Sequence, residues 1–319
     1  MKKSFDKVLV TGATGLLGSW LTEKLISNEK EVYGIALDKT KNHILKSKNI
    51  LENLNLTYLD ISDKSNLDRY FKKNKFDIVI HLAAQTQVGE AINNPVMTFK
   101  HNIEGTWNLL DNASKYGFPV VQASSDKAYG VSATLPYLEN FPLSGNFPYE
   151  FSKSATDLLG SVYNKTYGVK IVSLRCGNIY GGGDLNWERL IPGVLKWILT
   201  NQTPVLRTDG TFKRDWVYVE DVSNAYISVA EKLFEGEVPN NAYNFSGKDY
   251  LSVIEIYNLI NKILGTNIEP IYKIDSKNEI PDQYLSSDLI KKELNIESTI
   301  SITDGLQKTI EWYKKFFNN

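Results

Sequence analysis

The chain has a single cysteine, Cys176, among its 319 residues. One thiol closes no internal disulfide, so the fold has to be held by its core, and a reducing compartment, the cytoplasm, is the expected setting. Histidine is nearly as scarce: His43, His81 and His101 are scattered without metal-ligand spacing, and no metal site is expected. Excess charge of either sign is also missing. Lys and Arg number 36 against 37 Asp and Glu, which gives no general attraction to nucleic acid or to a membrane surface, so an anionic ligand has to be held by local groups. Long apolar runs are lacking as well. Lys2 and Lys3 resemble the start of a signal peptide, but Val8-Leu9-Val10 behind them is too short for its apolar region, and nothing approaches the roughly 20 apolar residues that span a bilayer. The expectation is a soluble, unprocessed protein. No internal repeat or low-complexity tract is found.

What is present is an ordinary globular balance of 42% hydrophobic and 23% charged residues, enough for one large α/β domain or for two lobes sharing a crevice. Lys7–Thr11 reads as a short buried strand, and Leu16–Ser27 as a helix with Leu17, Leu21 and Leu25 on one face. Strands are expected at 32–37, 55–59, 77–82, 120–124 and 170–175, with the longest helical patterns at 96–116 and 150–167. Strand alternating with helix at this pitch implies βαβ units and a doubly wound parallel sheet of the Rossmann type. After about Gly177 the rhythm breaks into Gly- and Pro-punctuated segments, with Gly181-Gly182-Gly183, a strand-like 215–219 and a closing helix at 305–316. The shift implies a dinucleotide-binding domain over 1–176, to which 215–236 returns, and a smaller mixed α/β lobe over 177–319 that mainly binds substrate.

Gly12-Ala13-Thr14-Gly15-Leu16-Leu17-Gly18 lies between the first strand and the first helix. Glycines there permit a tight turn and let backbone N–H groups approach a pyrophosphate where the helix dipole favours negative charge. Gly12, Thr14, Gly15, Leu16, Leu17 and Gly18 are therefore cofactor-contact candidates, in a GxxGxxG spacing rather than the commoner GxGxxG. Asp38, 20 residues after Gly18, ends the second strand, where a carboxylate accepts from ribose hydroxyls and repels a 2′-phosphate. NAD is thus expected over NADP, although Lys39 and Lys41 work the other way and a plain turn residue is the alternative. Asp60 and Ile61, after the third strand, are placed to meet adenine.

Ser124-Ser125-Asp126-Lys127-Ala128-Tyr129-Gly130, followed by Tyr149-Glu150-Phe151-Ser152-Lys153, supplies a hydroxyl, an acid, an amine and a Tyr/Lys pair one helical turn apart. A tyrosine of ordinary pKa near 10 is a poor base at neutral pH, and an ammonium on the same helical face stabilises its phenolate. By itself Tyr-x-x-x-Lys is often an exposed helix pair. Beside a dinucleotide loop it points to redox chemistry on an alcohol.

These segments, with His81-Leu82-Ala83-Ala84-Gln85, Asn102-Ile103-Glu104-Gly105-Thr106, Asn178-Ile179-Tyr180-Gly181, Arg214-Asp215-Trp216-Val217, Asp282-Gln283-Tyr284-Leu285 and Glu311-Trp312-Tyr313, make nearly the whole chain resemble the extended short-chain dehydrogenase/reductases, the nucleotide-sugar epimerases and dehydratases. The resemblance implies a tightly held NAD, met also by Leu82, Ala83, Ala84, Asn102, Ser124, Tyr149 and Lys153. It implies that Ser125 bonds the substrate hydroxyl, that Tyr149 is the base and that Lys153 clamps the cofactor. Gln85, Asn178, Arg189, Leu190 and Arg214 then face a nucleoside-diphosphate sugar, with the two arginines on its diphosphate; a capping role is the alternative for Asn178. A homodimer is implied too, the helices at 96–116 and 150–167 pairing across a two-fold axis, with Leu158, Leu159 and Val162 either in that interface or in the core.

Asp126 and Lys127 narrow the resemblance. Epimerases of the family usually carry small uncharged residues after the serine, whereas in the sugar 4,6-dehydratases this position pair supplies an acid and a base. The lysine version, together with Cys176-Gly177-Asn178-Ile179-Tyr180-Gly181-Gly182-Gly183-Asp184 and Glu188-Arg189-Leu190-Ile191-Pro192, looks like the CDP-glucose 4,6-dehydratases. Residues 213–217 follow the general family pattern instead, and the chain is short for that subgroup. The implied reaction converts a nucleoside-diphosphate hexose to its 4-keto-6-deoxy form. Alternatives are an epimerase with the same Tyr/Lys/NAD set, a 4-ketosugar reductase, against which Asp38 argues, and a non-catalytic NAD-binding regulator. For Asp126 and Lys127 themselves the other reading is a salt-bridged turn pair.

Overall fold

Val8, Leu9 and Val10 are fully buried because their strand runs through the middle of a parallel sheet and is covered on both faces. The structure is a computed structural model that describes residues 4–39, 50–274 and 280–318. Lys2, Lys3, Lys41 and His43 lie outside the described residues. Six strands follow in chain order, β1 to β6, over Lys7–Thr11, Glu31–Ala36, Leu54–Tyr58, Ile78–His81, Val120–Ser125 and Ile171–Cys176. Three more, β7 (Asn178–Tyr180), β8 (Val205–Leu206) and β9 (Lys213–Tyr218), precede β10 (Ala242–Phe245), and β11 (Asp249–Ser252), β12 (Ile271–Tyr272) and β13 (Asp282–Gln283) follow. The main sheet has the order β10-β6-β5-β4-β1-β2-β3 with every neighbour parallel. The order reverses between β1 and β4, which opens a crevice at the carboxyl ends of those strands.

Helices cover both faces. They run α1 (Leu16–Ser27), α2 (Lys64–Lys73), α3 (Val88–Asn93), α4 (Pro95–Phe99), α5 (Gly105–Tyr116), α6 (Pro148–Tyr167), α7 (Leu190–Leu199), α8 (Val219–Glu235), α9 (Val253–Leu264), α10 (Asp288–Leu294) and α11 (Ile302–Asn318). Leu21 and Leu25 of α1 share one core with Val222, Val229 and Leu233 of α8. Leu67 and Phe71 of α2, Leu109 and Leu110 of α5 fill the opposite face. A third core, with Val194 and Leu195 of α7, Ile256 and Ile260 of α9 and Leu306 and Ile310 of α11, belongs to the smaller lobe. There β9 pairs with β11, β13 and β7. The continuous helix expected at 96–116 is instead interrupted by a π-helical turn at Lys100–Glu104. The wider turn directs Asn102 inward, where it receives Gln85 N at 2.7 Å and donates to Gln85 O at 3.0 Å and Ser152 Oγ at 2.9 Å. None of the described helices is long and apolar enough to cross a membrane.

Candidate active site

The glycine loop turns sharply between β1 and α1. Gly12 has φ +72°, and a Cβ on it would stand 2.9 Å from Ala83 N, while one on Gly18 would stand 2.1 Å from Gly12 O. Helix and strand can approach this closely only without side chains there. Gly15 caps α1 without a side-chain bond, so no residue of the chain covers the first helical N–H groups from the cap position. A diphosphate fits this cradle by both shape and polarity. Asp38 lies half-buried two residues past the end of β2, not at its last residue. Asp60 Oδ1 is occupied by Ser62 N at 2.9 Å and Ser62 Oγ at 2.7 Å, and the Ile61 side chain is core. Beyond β4, Ala83 N donates to Thr11 Oγ1 at 3.2 Å. Thr11 also meets His81 Nδ1 at 2.7 Å, and Thr106 Oγ1 meets its Nε2 at 3.0 Å. Burial, and after it the Lys153 charge, pushes the His81 pKa down to about 3, so the ring is neutral.

Pro148 starts α6, and Glu150 Oε2 secures that start by accepting from Asn146 N at 3.1 Å and Phe147 N at 3.4 Å. The first turn carries Tyr149 and the second Lys153, both buried. Lys153 Nζ donates to Ala123 O at 3.0 Å. Burial lowers its pKa to about 8, against the opposing pull of Asp157 and Cys176. Tyr149 moves the other way, up to about 12, chiefly because it is buried. The Arg189 charge and a hydrogen bond with Ser125 favour its phenolate, and Asp126 opposes it. The expectation that Lys153 draws Tyr149 toward neutrality is therefore corrected: the cation acting on the phenol is Arg189, and burial outweighs it.

At the end of β5, Ser125 Oγ donates to Asp126 Oδ1 at 2.9 Å and accepts from Lys127 N at 3.2 Å, fixing a single 3-10 turn over Asp126–Tyr129. Asp126 is 2% exposed. Lys127 Nζ instead donates to Gln283 Oε1 at 2.8 Å, so the two do not form the salt-bridged pair that was the alternative reading. Gln283 lies in β13, and only its place in the Asp282-Gln283-Tyr284-Leu285 segment marks it along the chain.

The remaining candidates occupy varied settings. Ser124 Oγ and Gln85 Oε1 are buried without a partner. Asn178 begins β7 and donates to Asp215 O at 3.4 Å, so it caps no helix. Arg189 immediately precedes α7, whose first residue is Leu190, and is held by Asp184 Oδ2 at 2.9 Å. Arg214 is buried in β9 and donates to Lys213 O at 2.8 Å and Pro281 O at 2.7 Å.

A doubly wound sheet with a phosphate cradle at its switch point, and buried Tyr149 and Lys153 one helical turn apart on α6, define a dinucleotide-dependent enzyme. Residues 8–245 match the model of the NAD dependent epimerase/dehydratase family, and the chain belongs to that family, with NAD as cofactor. It is 34% identical to a putative UDP-glucose 4-epimerase of Methanocaldococcus jannaschii over 96% of this chain and 98% of that protein. It is 30% identical to the CDP-glucose 4,6-dehydratase of Salmonella typhimurium over 97% and 90% respectively. Among solved structures, the UDP-glucose 4-epimerase of Thermotoga maritima with UDP-glucose superposes with a TM-score of 0.90 at 27% identity, covering 97% of this chain and 99% of that one. Epimerases and dehydratases thus stand side by side among its relatives.

Proposed function

We propose that the protein is an NAD-dependent nucleotide-sugar 4,6-dehydratase resembling the CDP-glucose enzymes. The observation that carries this reading is the pair beside Ser125 and Tyr149: a buried carboxyl at Asp126, and an amine at Lys127 held by a neutral amide instead of by that carboxyl. An elimination needs an acid and a base in one site, and a carboxylate and an ammonium locked together are neither. An epimerase needs only the tyrosine, the lysine below it and the cofactor.

In this reading Ser125 orients the sugar C4 hydroxyl, and Tyr149 removes its proton as a phenolate, which Arg189 and Ser125 favour and which the positive nicotinamide would favour further once NAD is bound. A bound NAD would supply the hydride acceptor for C4 and the donor for C6. Lys127, as the free amine, removes the C5 proton, which the neighbouring ketone makes acidic, Asp126 protonates the departing C6 hydroxyl, and Lys127 returns a proton to C5 as the hydride reaches C6. Lys153 would hold the cofactor, Asp38 favours NAD by repelling a 2′-phosphate, and Arg189 and Arg214 supply positive charge to the substrate diphosphate. The domain boundary belongs to the same proposal, with residues 1–176 and 215–236 serving the dinucleotide and most of 177–319 serving the sugar nucleotide. So does a homodimer through α5 and α6: Val96, Trp107, Phe151, Leu158 and Val162 are exposed apolar residues on or next to these helices, while Leu159 packs against the core.

The test is mass spectrometry after incubation with CDP-, dTDP-, UDP- and GDP-hexoses. Loss of one water without net cofactor consumption is the expected result. An isomer of unchanged mass supports the second reading, an epimerase, which the Methanocaldococcus jannaschii relative favours.

A further inference from the structure

The ends of β6 and β9 enclose a second carboxyl that the reaction above leaves unused. Asp215 is 2% exposed, and its Oδ2 accepts from Leu285 N at 3.0 Å. The Asn178 backbone amide also acts on this carboxyl, and Oδ1 is buried with no hydrogen bond of ordinary geometry. The carboxyl fills the space over Gly177, where a Cβ would sit 1.8 Å from Asp215 Oδ1. Asp126 is in the mirror-image condition: Oδ1 serves Ser125, and Oδ2 is buried without a partner. Ser125 pairs with Cys176 across β5 and β6, Asn178 pairs with Trp216 across β7 and β9, and both carboxyls act on the Cys176 thiol between them.

Lys127 bonds directly to neither carboxyl. Lys127 Nζ is taken up by Gln283, whose side chain is fully buried with its own Nε2 unpartnered. Two ionised carboxylates that act on each other in such a place are penalised by desolvation and by each other. The other groups facing Asp126 are Tyr149 of α6, Tyr137 and Cys176, each pushed up to about 12 chiefly by burial. Arg189, Arg214 and Lys153 act on those neighbours in turn.

We propose that Asp215 is a positioning residue for the acid: Asp126 and Asp215 share one proton across their open oxygens, and Gln283 holds the Lys127 amine apart so that acid and base coexist. The inference rests on the dehydratase reading and deepens it. As the C6–O bond breaks, the shared proton passes through Asp126 to the departing oxygen, water forms, and the pair is left doubly negative. The proton that Tyr149 took from O4 replaces it by way of solvent, so substrate leaves as product plus one water. The Asp215 carboxyl accordingly stands well above the usual carboxylate range, first through burial and then through Asp126, with the Leu285 and Asn178 amides and Lys127 pulling less strongly the other way.

Asp215→Asn keeps the size and the acceptor for Leu285 N but has no carboxyl proton. In the NAD-loaded enzyme, with the sugar nucleotide that the parent dehydrates, water loss at pH 7 should fall by roughly 10²–10⁴-fold. The alkaline limb of the pH–rate profile should move to lower pH, while NADH absorbance still rises on substrate addition and KM holds. An unchanged rate and profile would overturn the pairing. A second measurement needs neither turnover nor that variant. With ¹³C-carboxyl aspartate in the parent chain, Asp215 should titrate above the other aspartates and shift downward in Asp126→Asn; a resonance that stays in place overturns the sharing. A parent that isomerises its sugar without losing water sinks the dehydratase reading, and that result is seen before any variant is made.

Discussion

Adjacent residues of β6 border two buried charge clusters built on opposite terms. Arg175 donates to both oxygens of Asp157 at 2.8 Å, to Tyr129 Oη at 2.8 Å and to Glu139 O at 3.0 Å, and Tyr129 Oη donates to Asn244 Oδ1 at 2.7 Å. Beside Cys176, Asp126, Asp215 and Gln283 each keep one buried polar atom without a partner. A completed network holds a fold in place, and an incomplete one retains bonding capacity for something that arrives later. The difference separates a cluster kept for structure from one kept for chemistry.

That contrast breaks most visibly through Lys127. In Lys127→Met, water loss should fall by roughly 10²–10⁴-fold, NADH should appear after sugar nucleotide is added and persist, and solvent deuterium should no longer enter C5. Folding stability should change by only about 1 kcal/mol. A variant turning over at the parent rate would move the epimerase reading ahead. Arg175→Met should show the reverse pattern, losing about 3–5 kcal/mol in urea denaturation because Asp157 is left buried and unpaired. A loss below about 1 kcal/mol would erase the distinction between the clusters.

His81 tests the same idea by pH. Its folded pKa of about 3 lies below the ordinary 6.5, so the unfolded chain binds a proton that the folded one refuses, and stability is lost as pH falls from 6.5 toward 3. At pH 4.5 that amounts to about 3 kcal/mol, and a parent no steeper than His81→Gln between pH 7 and 4.5 would contradict it. The smallest effect concerns Lys153, whose folded pKa is lowered to about 8. Burial of the ammonium costs stability below pH 8, and the cost is relieved as pH rises from 8 toward 10.5. Lys153→Met without cofactor should therefore be more stable than the parent at pH 7, by about 2 kcal/mol, and the gap should close at alkaline pH; a lowered Tm at pH 7 would refute this.

The alternation of strand and helix was legible because parallel strands buried on both faces are continuous apolar runs, and the edges expected for β1 through β6 lie within about one residue of those found. Ala242–Phe245 escaped notice because a four-residue strand containing Asn244 looks like a turn. Its asparagine is fully buried and is satisfied by Tyr129 and by Tyr137 O. The π-helical turn at Lys100–Glu104 leaves the apolar period around it intact, so periodicity passes over it. Within the site, short-range spacing was enough to bring Ser125, Asp126, Lys127 and Tyr149 to one edge. Gln283 and Asp215 reach that edge only because the smaller lobe packs there, which no spacing along the chain records. The direction of the Tyr149 shift was hidden for a related reason: it is set by how deeply the ring is covered.

Gly177 constrains how such a site can change over evolutionary time. The position that its Cβ would occupy is already taken by the Asp215 carboxyl. A lineage can lose Asp215 first and acquire a side chain at 177 afterwards, but the opposite order passes through a molecule in which two groups claim the same space. Once the vacated volume is filled, regaining the carboxyl requires both positions to revert, and the step behaves as a ratchet.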